Sequence, residues 1–148
     1  MARVFNEVDN PAELVIKDAE ELAQLVADKD QGTRSQMRRF YQEFVKLRQG
    51  VPAGDEVAYK RNEVALKMLV AKAAYATGRK NSKVSAKFKD WLQKNVRAIT
   101  CAQDVHTFGD YYEAFIGFFY AQTPDGQQSR PGGQPQGGRR YSQGGGRR

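Results

Sequence analysis

Apolar residues recur every three or four positions along most of the chain, the spacing that places them on one face of an α-helix. The first such stripe predicts a helix that ends near Lys29. Its apolar positions are Leu14, Ala19, Leu22, Leu25 and Val26. Asn10-Pro11 before it suits an N-cap and a first-turn proline, although Pro11 could instead end an extended lead-in.

A second helix is predicted to begin at a capping box, Thr33-Arg-Ser-Gln36, in which the Thr33 hydroxyl accepts a hydrogen bond from a free backbone N–H. Gly50 suits a left-handed terminator, and Pro52 follows it. The apolar positions in between are Met37, Phe40, Tyr41, Phe44 and Leu47.

A third helix is predicted from about Val57 to Thr77, with Gly78 at the C′ position. Its segment VALKMLVAKAAYAT is apolar on nearly all sides. That pattern is typical of a helix that packs against several neighbours.

Two more helices follow, the fourth capped by Ser82 or Ser85 and the fifth beginning at about Asp104. The fourth carries Val84, Phe88, Trp91, Leu92, Val96 and Ile99. The fifth carries Phe108, Tyr111, Tyr112, Phe115, Ile116, Phe119 and Tyr120, which we expect mainly in the core, while Phe118 on another face could mark a partner surface. Period-two alternation and Asn-Gly hairpin dipeptides are absent, so the sequence predicts an all-α body of about five helices.

The composition changes at Thr123. The last 26 residues contain 8 Gly, 5 Gln, 5 Arg and 3 Pro and no aliphatic residue, so residues 123–148 are predicted to form a disordered tail after a domain of residues 1–122. Its end, GGRRYSQGGGRR, resembles the Arg-Gly tracts that bind single-stranded RNA. The alternative is a solubilising tail without a specific role.

Length and cysteine content limit the classes of protein to consider. A chain of 148 residues can bury one core without metals or disulfides, and a single cysteine, Cys101, forms no internal disulfide. We find neither a run of about 20 apolar residues nor a secretory leader. The expectation is a cytoplasmic protein.

Charge is distributed unevenly. Residues 1–30 carry a net charge of −5, residues 31–102 a net +11, residues 103–122 a net −3 and residues 123–148 a net +4. A concentration of positive charge in the middle of the chain favours a polyanionic partner, although a basic surface can also serve solubility alone.

Catalytic patterns are weak. His106 is the single histidine, and its nearness to Asp104 and Asp110 is more typical of a helix start than of an acid–base site. Cys101 would act as a nucleophile only within reach of His106, and its place at the end of an apolar stripe favours a small core residue. Phosphate-binding glycine motifs are missing. We therefore expect no enzyme, metal or cofactor.

The second helix has a basic side. Counted at about 100° per residue, four of its cations lie on the side opposite its apolar stripe, and its one acid, Glu43, lies at the border. These cations are Arg34, Arg38, Arg39 and Lys46. An ordinary surface would interleave acids for pairing at i,i+4, so this side is a candidate phosphate contact.

Lys72 lies within an apolar segment, where an unpaired buried ammonium would be costly. It must pair with a carboxylate, extend to the surface or line a groove, and the alanines beside it would let a ligand approach. Arg61 lies about 20° from it on the helix, and Lys67 adds charge to the same helix. Arg79, with Lys80 and Lys83, forms a basic loop that could hold phosphates or complement the helix dipole.

Three motifs together resemble the small subunit of the type III-A CRISPR effector, the Csm complex. They are Thr33-Arg-Ser-Gln-Met-Arg-Arg-Phe-Tyr, Leu69-Val-Ala-Lys-Ala-Ala-Tyr-Ala-Thr-Gly-Arg79 and Phe108-Gly-Asp-Tyr-Tyr-Glu-Ala-Phe-Ile-Gly-Phe-Phe-Tyr120. The likeness covers residues 30–122, and Lys72, Tyr75, Gly78 and Arg79 are its most specific part. The tail departs from the family pattern.

The resemblance implies a compact, non-catalytic helical bundle that stacks in several copies along the crRNA–target RNA, beside the backbone and large subunits. It implies RNA contacts at Arg38, Lys72 and Arg79. Arg39, Lys46, Arg61 and Lys67 are candidates on charge alone. The alternatives are the small subunit of the type III-B complex, a protein-interaction adaptor and, last, a nuclease.

Overall fold

A computed structural model describes residues 2–27, 33–78 and 84–122 of the chain. Within these ranges it contains a 3₁₀ turn (Phe5–Glu7), a π-helical turn (Leu14–Asp18) and five α-helices. The helices are α1 (Ala19–Ala27), α2 (Thr33–Gln49), α3 (Glu56–Gly78), α4 (Ala86–Ala98) and α5 (Ala102–Ala121). These ranges contain no strand, so the all-α prediction is confirmed, while the predicted tail lies outside the described residues.

Two of the predicted helix starts have their expected caps. The side-chain oxygen of Asn10 accepts a hydrogen bond from the Ala12 N–H at 3.1 Å, as an N-cap does. Ser85 caps α4, because its hydroxyl accepts a hydrogen bond from the N–H of Lys87 at 3.1 Å, while Ser82, the other candidate, lies outside the described residues. α2 begins at Thr33 as predicted, but the Thr33 side chain lies outside the described part, so its capping bond stays a prediction.

The two glycine terminators were predicted wrongly. Among the described glycines the only one with a positive φ is Gly54, at 79° in the loop between α2 and α3. Gly50 instead donates its N–H to the Leu47 carbonyl at 3.1 Å, which tightens the last turn of α2 without reversing the chain. Gly78 is itself the last helical residue of α3.

The core is built on aromatic side chains of α4 and α5. The ring of Trp91 lies 5.2 Å from those of Phe108, Tyr111 and Phe115 and 5.3 Å from that of Tyr112, measured between centroids. All five side chains are buried, as expected for the fifth helix. Phe118 is partly buried against this core and forms no separate surface patch.

The helices differ in which neighbours they pack against. α1 and α2 pack mainly against α5, whereas α3 packs mainly against α4, and the packing between α2 and α3 is much thinner. α2 reaches α5 through Phe44, whose ring lies 5.4 Å from that of Tyr112. α2 and α3 therefore diverge enough to leave an open groove between them.

The prediction that α3 packs on several sides is wrong for this chain by itself. α3 buries one side, which includes Leu66, Leu69 and Ala73. On its other side four large side chains lie in solvent: Val57 at 68 %, Val64 at 75 %, Met68 at 48 % and Tyr75 at 70 % exposure. Periodicity reports which residues are apolar, and it does not report whether this chain supplies a neighbour to cover them.

A partly buried ion pair between Arg3 and Asp18 fixes the N-terminal segment. The Asp18 carboxylate is buried and accepts hydrogen bonds from Arg3 Nη2 at 2.9 Å, Arg3 Nε at 3.0 Å and the Arg3 backbone N–H at 2.9 Å. The Tyr111 hydroxyl donates to the Arg3 carbonyl at 2.7 Å. Burial by itself would raise the pKa of Asp18, but the hydrogen bonds from Arg3 outweigh it and hold that pKa below its usual range.

We expect Asp18→Asn to lower the melting temperature at pH 7, because the Arg3 guanidinium loses its buried counter-ion. The pKa of Asp18 is lower in the folded chain than its unfolded value of about 3.9, so the pair stabilises fully at neutral pH and is lost as the pH falls through the folded pKa. Melting curves from pH 7 to pH 2.5 should therefore converge for wild type and variant. Glu13→Gln, which removes a more exposed contact of Arg3, is the control and should change little; a pH-independent gap would contradict this account.

Candidate nucleic-acid interface

An open groove of about 880 Å³ lies between α2 and α3. Its cations are Arg39 and Lys46 from α2 and Lys72 from α3. Arg39 and Lys46 are seven residues apart, which is two helical turns, so both follow the same line along α2. Ala65 and Met68 form part of the α3 wall, and the small side chain of Ala65 leaves room for a ligand backbone.

Lys72 both pairs with a carboxylate and lines this groove. Its ammonium donates to the Glu43 carboxylate across the gap between α3 and α2. The side chains of Lys72 and Glu43 are 47 % and 36 % exposed, so the pair is screened by water and contributes no more than about 1 kcal/mol. A phosphate can therefore compete with Glu43 for the ammonium.

Arg38 is placed on the other flank of α2. It is exposed, and its guanidinium carbon lies 5.5 Å from the centroid of the Tyr120 ring on α5. Adjacent helical residues differ by about 100° in direction, so Arg38 and Arg39 serve different flanks. Arg38 therefore does not line the groove that contains Lys72, although the resemblance implies RNA contacts at both residues.

The remaining predicted cations of α3 differ in their surroundings. Arg61 is exposed and lies eleven residues before Lys72, about 16 Å along the helix axis. It borders a shallow hollow at the start of α3, together with Val57 and Lys60. Arg79 lies outside the described residues, as do Lys80 and Lys83, so the proposed basic loop stays a prediction.

Lys67 has an intramolecular role. Its ammonium donates to the carbonyls of Val96 at 2.7 Å and Ile99 at 2.6 Å, at the C-terminal end of α4. Cations are favourable at this end of a helix because the free carbonyls carry partial negative charge. Burial lowers the pKa of Lys67, and its donors point into the protein. Lys67 does not line the groove between α2 and α3.

The residues considered for catalysis form contacts within the fold. His106 Nε2 lies 2.6 Å from the Val51 carbonyl, and its Nδ1 accepts a hydrogen bond from Arg48 Nε at 3.3 Å. Asp110 pairs with Arg48 at 2.8 Å. Asp104 accepts the Thr100 N–H at 3.0 Å, the arrangement at a helix start that the sequence favours over an acid–base site.

Cys101 is half-buried at the N-cap of α5 and is not the core residue that its position in an apolar stripe favours. Within residues 2–27, 33–78 and 84–122, no group of three or more histidine, cysteine or carboxylate side chains is placed to bind a metal ion.

Sequence reasoning missed Arg48. Its side chain crosses α5 at Gly109, where an added Cβ would lie 2.6 Å from the Arg48 guanidinium, and it reaches Asp110 beyond. A glycine inside a helix that bears aromatic residues on most sides was the available signal, because glycine there marks a close approach.

The family model described as Csm2 Type III-A matches residues 9–124 of the chain. No curated protein and no solved structure matches it. In the part of the chain that the structure describes, no helix is both long and apolar enough to cross a membrane.

We expect Lys67→Met to destabilise the fold by about 1–3 kcal/mol, because the carbonyls at the end of α4 lose a charged donor. Urea denaturation measures this change. RNA affinity, measured where the variant is fully folded, should stay within twofold of wild type. A variant of normal stability with much weaker RNA binding would contradict the structural role.

Proposed function

This chain belongs to the Csm2 family, the small subunits of type III-A CRISPR complexes, and we propose that it binds crRNA–target RNA through the groove between α2 and α3. In this proposal the subunit is non-catalytic and cytoplasmic and contributes to antiviral defence by holding RNA for other subunits. It requires no cofactor.

The observation that carries this proposal is the arrangement of charge in the groove. Arg39, Lys46 and Lys72 come from two different helices and border one open space. Among the described residues that line it, Glu43 is the only acid. Arg61 continues the same side of α3 for about 16 Å. Cations in a row contact successive phosphates without reading bases, which suits a subunit that accepts any guide and target sequence.

The exposed side of α3 supports contact with other subunits. Val57, Val64, Met68 and Tyr75 are spaced by seven, four and seven residues, the a/d pattern of helices that pack together. Exposed apolar stripes of this kind are unusual on monomers. We propose that this stripe contacts other Csm subunits or a further copy of the chain, as stacked copies or a dimer.

The same stripe favours a second candidate function, a protein-interaction adaptor whose positive charge serves acidic protein partners. The RNA affinity of the purified chain distinguishes such an adaptor from an RNA-binding subunit. An adaptor would show no salt-dependent RNA binding, whereas a phosphate-binding groove loses affinity steeply as salt rises.

We expect Glu43→Gln to tighten binding to a crRNA–target duplex about two- to fivefold at 100 mM salt, because Lys72 becomes free to contact a phosphate. The slope of log affinity against log salt should steepen by up to about 0.9 for one added contact. Lys72→Met should change both quantities in the opposite direction. Fluorescence anisotropy from 50 to 300 mM salt measures both.

Asp90→Asn is the matched control, because Asp90 pairs with Lys89 on α4 and its loss changes the net charge by the same amount. If Asp90→Asn tightened binding as much as Glu43→Gln, overall charge and not the groove would govern affinity. If Glu43→Gln and Lys72→Met both bound RNA with wild-type affinity at low salt, the groove would not be the RNA contact.

We expect Val64→Gln with Tyr75→Gln to prevent incorporation into a complex reconstituted from the other Csm subunits and crRNA. Both side chains are exposed, so the fold should keep its helical content. Native mass spectrometry measures the copies retained. Ile16→Gln, at a residue 68 % exposed outside the stripe, is the control; normal incorporation of the α3 variant would exclude the stripe as a subunit contact.

A further inference from the structure

Two glutamines accompany the cations on the groove side of α2. Arg39 is followed three residues later by Gln42, and Lys46 is followed three residues later by Gln49. All four side chains are exposed and line the groove. Counted at about 100° per residue, the two amides lie about 60° to one side of the two cations. α2 therefore presents a line of positive charge with a parallel line of neutral amides beside it.

The amide groups of these two glutamines are not used by the described part of the fold. Neither Gln42 nor Gln49 forms a hydrogen bond with another residue of the described ranges. Gln93 on α4 shows the contrast, because its amide donates to the Val70 carbonyl at 2.9 Å and so joins α4 to α3. The donors and acceptors of Gln42 and Gln49 are therefore available to a ligand in the groove.

An amide suits a hydroxyl better than it suits a phosphate. The glutamine side chain carries two N–H donors and one carbonyl acceptor, and a hydroxyl, which also donates and accepts, can use both kinds of group. An ionised phosphate only accepts, so it leaves the amide carbonyl without a partner. A helix side that contacted phosphates alone would bind more tightly with lysine or arginine at both glutamine positions, because each cation releases counterions on binding. The amides therefore indicate a neutral polar group beside the phosphates.

The spacing along α2 indicates that this neutral group repeats. The pair of a cation and an amide occurs twice, and the two pairs begin seven residues apart, about 10 Å along the helix axis. A nucleic-acid strand presents its phosphate and its sugar in the same order at every nucleotide, whereas the order of its bases varies. Two like pairs therefore match the backbone of the strand. In RNA the sugar carries the 2′-hydroxyl, which donates and accepts and is displayed in the wide minor groove of an A-form duplex.

The opposite wall of the groove does not compete for a hydroxyl. Among the described residues of α3 that line the groove, Lys72 is polar and Ala65 and Met68 are apolar. An ammonium only donates, and it binds more strongly to an anion than to a neutral group. Contacts that need both a donor and an acceptor are therefore made from the α2 side.

We propose that Gln42 and Gln49 contact ribose 2′-hydroxyls, so that the groove selects RNA over DNA while Arg39 and Lys46 hold the neighbouring phosphates. This inference rests on the proposed function, because it requires a nucleic-acid strand in the groove. The 2′-hydroxyl is the same at every nucleotide, so the selection does not depend on base sequence. The glutamines set the specificity of the groove for the sugar, and the cations supply most of its affinity.

The test compares two RNA duplexes of one sequence, one unmodified and one with fluorine in place of every 2′-hydroxyl. Fluorine keeps the charge and the A-form geometry of the duplex and removes the hydroxyl donor. Fluorescence anisotropy measures the affinity of the full chain for each duplex. The variant is Gln42→Met with Gln49→Met, which keeps side-chain length, net charge and helix propensity and removes both amides. Gln24→Met, at an exposed residue of α1 outside the groove, is the control.

Wild type and Gln24→Met should bind the unmodified duplex about three- to tenfold more tightly than the fluorinated one, because the fluorinated duplex lacks the hydrogen bonds of two hydroxyls. The double glutamine variant should bind both duplexes equally, with an affinity for the fluorinated duplex within about twofold of wild type. Its slope of log affinity against log salt should equal that of wild type, because no phosphate contact changes.

The inference is overturned if wild type binds the two duplexes equally, if the double variant keeps the wild-type preference, or if Gln24→Met loses it. Failure of the proposed function has a different signature. Lys72→Met should weaken binding of both duplexes alike and flatten the salt dependence. If it changes neither quantity, no nucleic acid occupies the groove, and the inference is overturned together with the proposed function. If Lys72→Met behaves as expected and the double glutamine variant does not, only the role given to the glutamines is wrong.

Discussion

The structure depends on how α2 and α3 use their apolar sides. α2 packs against α5 and α3 packs against α4, so neither helix buries its apolar side against the other. The ring of Trp91 contacts those of Phe108 and Tyr112 and so joins α4 to α5. Because α3 packs against α4 and α2 against α5, this contact also fixes the distance between α2 and α3. The groove exists because of this arrangement, and the polar residues left between α2 and α3 give it its charge.

Two lysines of α3 show how direction on a helix decides function. Lys67 and Lys72 are five residues apart, which turns their side chains about 140° away from each other. Lys67 reaches the end of α4 and donates to its carbonyls. Lys72 faces α2 and meets Glu43 in solvent. Lys67 therefore stabilises the fold, and Lys72 is the lysine to which the proposed function assigns a phosphate.

The sequence predicted the five helices within a few residues, because each apolar stripe has the helical period and several caps have the expected residue types. The prediction failed at Gly50, because a glycine after the last apolar position suits both a tightened last turn and a left-handed terminator. It could not place Arg38 relative to Lys72, because their distance depends on which helix each one packs against. The exposed side of α3 could not be predicted for the same reason, since the sequence does not show whether an apolar residue is covered by this chain or by a partner. Arg79 and residues 123–148 lie outside the described part, and their roles stay predictions.

Lysine footprinting with and without a crRNA–target duplex tests the groove most directly. Each ammonium is labelled by an amine-reactive reagent, and mass spectrometry measures the fraction modified at each residue. The account predicts that RNA protects Lys46 and Lys72, whereas Lys17 and Lys94, exposed and outside the groove, are labelled as before. Equal labelling of Lys46 and Lys72 with and without bound RNA would contradict it.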